Sequence, residues 1–147
     1  MSADGIGAVA CYLLIDQRGA ILLQERDEGA PRYPNQWSMP GGQVEPGETP
    51  EQAAYRETTE ETEVVLPQGA LSLWHQERRT VPGVGEVDYH LFTAGVTLTD
   101  ADITCHEGRQ IVFVLPARLG ELDLTESTRH FLGLLLASER YAALTGS

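Results

Sequence analysis

Apolar and β-branched residues dominate positions 6–15, beginning at Ile6, and stop at Asp16-Gln17-Arg18-Gly19. This pattern predicts a strand followed by a turn. Residues 20–24 read as the returning strand of a hairpin. Residues 25–36 are polar, carry Gly29, Pro31 and Pro34, and read as a loop. Trp37-Ser38-Met39 predicts a short strand ahead of Pro40-Gly41-Gly42. The clearest helix start is Thr49-Pro50-Glu51-Gln52, with Thr at the cap, Pro at the first helical position and Gln at the third. It predicts a helix over Pro50–Thr62. Residues 71–77 and 86–94 predict two strands around a turn holding Pro82, Gly83 and Gly85, with 96–98 as a short continuation. Residues 111–115 predict another strand. Thr125 caps a last helix over 126–141, where Phe131, Leu132, Leu135 and Leu136 recur at helical spacing. This order of strands and helices predicts an α+β or α/β sandwich with a mixed sheet.

The chain has 147 residues, which predicts a single domain over 1–147. Its 41% hydrophobic and 22% charged content excludes a disordered tail, a collagen-like repeat and a coiled coil. Ten Lys and Arg against 22 Asp and Glu leave a net charge of -12. That excess repels phosphate backbones and anionic lipid, so neither nucleic acid nor membrane is expected as the partner. It suits a protein that collects divalent cations, and equally one whose acidic residues serve solubility. The two cysteines, Cys11 and Cys105, form no CxxC pair. They predict reduced thiols and a cytoplasmic protein without a disulfide framework or zinc site. The first seven residues show no leader pattern, and the apolar runs are too short to span a bilayer.

Glu57, Glu60 and Glu61 stand at i, i+3 and i+4 of the predicted helix. At about 100° per residue they share roughly one third of its circumference. Like charges so placed destabilise a helix by about 0.2–0.5 kcal/mol per pair, so the stack has no local reason to exist. A hard divalent cation supplies one, because Mg²⁺ takes carboxylate oxygens and keeps waters and substrate phosphates as its other ligands. The competing interpretation is a solvated acidic face. Four neighbouring residues favour the cation. Gly41-Gly42 and Gly47 form a flexible loop that brings backbone groups close to an ion or phosphate. Arg56 adjoins the cluster and can orient one carboxylate.

Gly42, Glu48, Arg56, Glu57, Glu60 and Glu61 stand at the spacing G-x5-E-x7-R-E-U-x-E-E-x-G-U, with U a bulky apolar residue. On this motif the chain resembles the Nudix hydrolases, and the order of strands and helices agrees from about residue 6 to 136. Two positions depart. Thr58 replaces a bulky apolar residue, with its methyl still able to face the core. Glu63 stands where the family has glycine, which removes an easy left-handed cap and leaves the turn that follows to take a different course.

The resemblance implies an α/β/α sandwich with a mixed sheet flanked by helices. It implies hydrolysis of a diphosphate linkage in a nucleoside diphosphate derivative, assisted by Mg²⁺ or Mn²⁺. Carried over position by position, Glu57, Glu60, Glu61 and the Gly41 carbonyl are metal ligands. Gly42 and Glu48 support the loop and helix, and Arg56 orients Glu57. Glu107, in a loop before a late strand, is a further ligand or base, and the base lies among Glu57, Glu61 and Glu107. Arg26 resembles a phosphate-contacting Arg of the MutT-like branch. Trp37, Trp74, Tyr89 and Phe92 include the candidates for base stacking. The four histidines, His75, His90, His106 and His130, show no ligand spacing and read as structural or surface residues. The leading expectation is a MutT-like nucleoside triphosphate pyrophosphohydrolase acting on a small nucleotide as a monomer or homodimer. A pyrophosphatase for ADP-ribose or a nucleoside diphosphate sugar is the enzymatic alternative. A non-catalytic nucleotide-sensing domain is the other, against which the intact Arg56-Glu57 and Glu60-Glu61 pairs argue.

Overall fold

The computed structural model describes residues 7–146. Ile6 and most of the stretch read for a leader lie outside the described residues. The first strand, β1 (Gly7–Ile15), is buried without a break from Ala10 to Ile15. Its two-residue alternation explains why both faces are apolar. Ala10, Tyr12 and Leu14 join one core with Ala53, Ala54 and Phe92. Cys11, Leu13 and Ile15 join a second core with Phe131, Leu132 and Leu135. Fully burying a Leu or Ile side chain contributes about 1.5–3 kcal/mol. A slip of one residue would exchange the two sets, so the register of β1 is strongly specified.

The remaining elements are β2 (Ile21–Glu25), β3 (Trp37–Ser38), β4 (Gly41–Gln43), α1 (Pro50–Thr62), β5 (Ser72–Val81), β6 (Gly85–Gly95), β7 (Gln110–Val114), α2 (Glu126–Leu136) and α3 (Glu139–Thr145). Seven strands form one sheet in the order β3-β2-β1-β6-β5, with β4 also on β1 and β7 also on β2. β1 and β6 run parallel and the other pairs are antiparallel, so the sheet is mixed as expected. β2 meets β1 at Ile15 and Ile21 and then pairs with β7 and β3. The other half of β1 pairs with β4, placing Cys11 opposite Gly41. α1 packs over β1 and β4, and α2 lies on the opposite face.

α1 begins as predicted. The Thr49 hydroxyl accepts from the Gln52 amide at 3.1 Å, and the Gln52 side chain accepts from the Thr49 amide at 2.9 Å. Thr58 is fully buried and its hydroxyl donates to the Ala54 carbonyl at 2.7 Å, so the polar atom is satisfied inside the core. Four expectations are corrected. The hairpin strands β5 and β6 extend to Val81 and from Gly85, because the polar run Arg78-Arg79-Thr80 keeps its backbone ladder while exposing alternate side chains. Residues 96–98 form no strand. The last helix is two, since Ser138 caps α3 by accepting from the Tyr141 amide at 3.1 Å. The turn after α1 keeps the left-handed cap, because Glu63 itself adopts φ 63°, ψ 10°, at about 1–2 kcal/mol above its cost for glycine.

Candidate active site

The C-terminal half of α1 projects its carboxylates over β1 and β4. Arg56 is their hub. Its guanidinium donates to Glu48 at 2.8 and 3.0 Å, to Glu57 at 2.9 Å, to Glu60 at 3.1 Å and to the Gln43 carbonyl at 3.0 Å. The hydrogen bonds from Arg56 hold the Glu48 carboxyl below its ordinary range. The chain passes β4 closely. A Cβ at Gly41, where φ is 151°, would meet the Ala10 carbonyl oxygen at 2.3 Å, and one at Gly42 would meet the Glu57 carboxylate at 2.3 Å. Gly41 is therefore required by backbone contact, while a side chain at Gly42 would displace the Glu57 carboxylate from its place; both occupy a strand, which corrects the expectation of a loop there.

Glu61 is 3% exposed and accepts a hydrogen bond from the Tyr12 hydroxyl at 2.7 Å. Burial, the adjacent Glu107 carboxyl and the charge of Glu57 push its pKa well above the ordinary carboxylate value. Glu57 is raised as well, mainly by burial, with Arg56 opposing the shift. Burial and the same carboxylates push the Cys11 thiol up to about 12, which leaves it protonated and inert. Glu107 reaches Glu61 from the loop ahead of β7. That loop is held by the Gln24 amide, which donates to the Glu107 carbonyl at 2.8 Å, and by the His106 amide, which donates to the Glu61 carbonyl at 3.0 Å.

Arg26 borders two adjoining cavities. One, of about 240 Å³, includes Gln24 and Glu107; the other, of about 180 Å³, includes Gly41, Tyr33 and Tyr89. The structure thus brings Arg26, Gly41, Gly42, Glu48, Arg56, Glu57, Glu61 and Glu107 to one region, while Glu60 stands at its exposed edge. Of the aromatic candidates, Tyr89 lines the cleft, whereas Phe92 belongs to the core under α1 and Trp37 and Trp74 pack against the core under α2.

A family model described as NUDIX domain matches residues 6–134. The chain belongs to the NUDIX family. As a Nudix protein it is a hydrolase, and its mixed sheet with flanking helices is the α+β fold expected of one. The nucleoside triphosphatase NudI of Enterobacter sp. (strain 638) is 33% identical over 123 residues, 79% of this chain and 87% of the relative. Two solved structures show the same fold. The MutT protein of Methanosarcina mazei Go1 superposes with a TM-score of 0.73 over 97% of each chain at 23% identity. A bifunctional NMN adenylyltransferase/ADP ribose pyrophosphatase of Francisella tularensis gives 0.73 over 92% of this chain and 42% of that one, at 20% identity.

Nudix hydrolases generally use divalent metals, and the donors here fit such an ion. Among the described residues, no three His, Cys, Asp or Glu side chains are gathered tightly enough to hold a metal as they stand. The reason is local: Glu57 and Glu60 are both turned to Arg56, while Glu61 is tied to Tyr12. Their stems nevertheless share one helix face, and Glu60, 56% exposed, meets Arg56 at the open edge. The raised Glu57 and Glu61 carboxyls mark a place where an added positive charge lets both ionise. Every donor is an oxygen, which suits a hard cation.

Four residues around this candidate site were not read from the sequence as belonging to it. Tyr12 sits in an apolar strand, where a buried phenol usually finds a partner. Gln24 is 4% exposed at the end of β2, and Tyr33 lies in the polar loop. His106, expected to be a structural or surface residue, is exposed, one residue from Glu107 and hydrogen-bonded to Glu63.

Proposed function

We propose that this Nudix hydrolase cleaves a phosphoric anhydride bond of a nucleoside triphosphate, with Mg²⁺, or Mn²⁺ in its place, as cofactor. The observation that carries the reading is the buried Glu61 with the half-buried Glu57 one turn before it, near a cleft that Arg26 borders and that Glu107 and Gly41 also line. The relative named a nucleoside triphosphatase supports the substrate class.

Glu57, Glu60, Glu61 and the Gly41 carbonyl would hold the ion. When bound, it offsets the charge of the diphosphate and lowers the pKa of attacking water. The chain's own residues do the rest. Arg56, itself locked by Glu48, holds Glu57 in place. Tyr12 fixes one oxygen of Glu61. Arg26 binds phosphate oxygens, for which a guanidinium is suited in charge and shape. Glu107 is exposed and takes the proton of the attacking water, since Glu57 is tied to Arg56 and Glu61 to Tyr12.

The test is a product-identification screen with Mg²⁺ and Mn²⁺. Its panel holds unmodified and oxidised nucleoside triphosphates, ADP-ribose, nucleoside diphosphate sugars and dinucleoside polyphosphates, with Glu61→Gln as the blank. Metal-dependent cleavage of a triphosphate by the parent chain alone is the expected result. Preference for ADP-ribose or a nucleoside diphosphate sugar would overturn the substrate class. Cleavage undiminished by chelation would overturn the metal.

A further inference from the structure

Glu63 is the position where a charged side chain replaces the glycine of the family pattern. Its backbone is left-handed at φ 63° and its amide still closes α1 by donating to the Thr59 carbonyl at 2.9 Å. Glycine adopts that conformation without penalty, so a side chain there needs another reason to be present. The structure supplies one: the Glu63 carboxylate is hydrogen-bonded to His106 Nε2, 43 residues away.

His106 lies in the loop that delivers Glu107. That loop rests on the end of α1 through the Thr104 amide, which donates to the Thr62 carbonyl at 3.0 Å, and the His106 amide, which donates to the Glu61 carbonyl at 3.0 Å. Across this junction the Glu61 and Glu107 carboxyls face each other. The Glu63–His106 pair spans the same junction, two residues beyond Glu61 and one before Glu107. Its hydrogen bond forms with the imidazole neutral or charged, since either state carries an N–H.

We propose that Glu63 and His106 form a positioning clasp that holds the Glu107 loop against the glutamate helix. The proposal rests on the reading of Glu107 as part of the site. Both side chains are exposed, at 58% and 49%. Such a pair adds little to global stability, so its effect belongs to the loop and not to the melting temperature.

The experiment uses the full chain with Glu63→Gly, His106→Ala, the double variant, His106→Gln and Glu107→Gln. Glu63→Gly is expected to be at least as heat-stable as the parent, because glycine suits the left-handed cap. In metal-free protein, amide exchange at Thr104 and His106 should quicken by roughly tenfold in Glu63→Gly and His106→Ala, as a local opening does. With substrate, kcat should fall by about five- to tenfold and KM change little, and the double variant should be no worse than either single, as for one shared contact. His106→Gln, which keeps a donor, should recover part of both losses. Parental exchange and parental kcat in Glu63→Gly and His106→Ala would overturn the clasp. Parental kcat in Glu107→Gln would instead remove Glu107 from the site and overturn the clasp's catalytic purpose, whatever the exchange rates show.

Discussion

Glu61 joins three features that usually conflict: it is a carboxyl, it is buried, and it faces Glu57 and Glu107. Only a group with a positive partner gains from such a setting. Its folded pKa lies above the ordinary value, so its contribution to stability is present below that value. It is lost as pH rises toward the folded pKa. In chelator, Glu61→Gln should therefore match or exceed the parent in melting temperature at neutral pH, with the gap widening as pH rises. The same variant should lose activity by about 100-fold or more, since even outer-shell partners of a metal cost about 10–100-fold. Thermal scans in chelator at several pH values and initial rates with Mg²⁺ check both halves. A stable, active Glu61→Gln would remove the residue from the metal set. Part of this was legible in the residues, because three glutamates on one helix face are a local misfit. That Glu61 is the buried one was not, because a spacing rule does not say how deeply each position sits.

At the scale of elements, α1 presents mainly Ala53, Ala54, Thr58 and Thr62 to the sheet alongside Glu61. Small side chains give it little apolar area, so its ends matter. Thr49→Ala removes the hydroxyl that accepts from Gln52. It should cost about 1 kcal/mol, or roughly 3 °C in melting temperature for a chain of this size. An unchanged melting temperature would show that packing alone fixes the start of α1. The cap and Pro50 were readable because capping is local chemistry. The break between α2 and α3 was not anticipated, although Ser138 carries the same signal. The apolar spacing of Phe131 to Leu136 does lapse at Ser138-Glu139-Arg140, but such a polar turn also suits the exposed face of one longer helix; what seats α3 is a contact spanning 122 residues, in which the Tyr141 hydroxyl donates to the Gly19 carbonyl at 2.6 Å.

Across the whole molecule, the edge strand β5 is tied to α2 by a polar group. Glu77 accepts from His75 at 2.8 Å and from His130 at 2.9 Å, and Arg79 lies 3.4 Å away. His75 first, then His130 and Arg79, hold the Glu77 carboxyl below its ordinary value. A depressed carboxylate contributes stability that is present above the ordinary pKa and lost as pH falls through the folded one. Glu77→Gln should thus lower the melting temperature by about 1–3 °C near neutral pH. It should also flatten the loss of stability below the ordinary carboxylate pKa. Parallel acid limbs in the two proteins would exclude Glu77 from that transition. The sequence by itself determined the central strand, the capped helix and the spacing of Glu48, Arg56, Glu57, Glu60 and Glu61, because each depends on neighbours a few residues away. Only the tertiary structure decided that Tyr12 meets Glu61, that Gln24 and His106 set Glu107 beside it, and that Glu63 holds His106. Those contacts join residues 43 to 83 positions apart. They exist because β1, β2 and the loop before β7 converge on one end of α1, and pairing between strands carries no mark within any single strand.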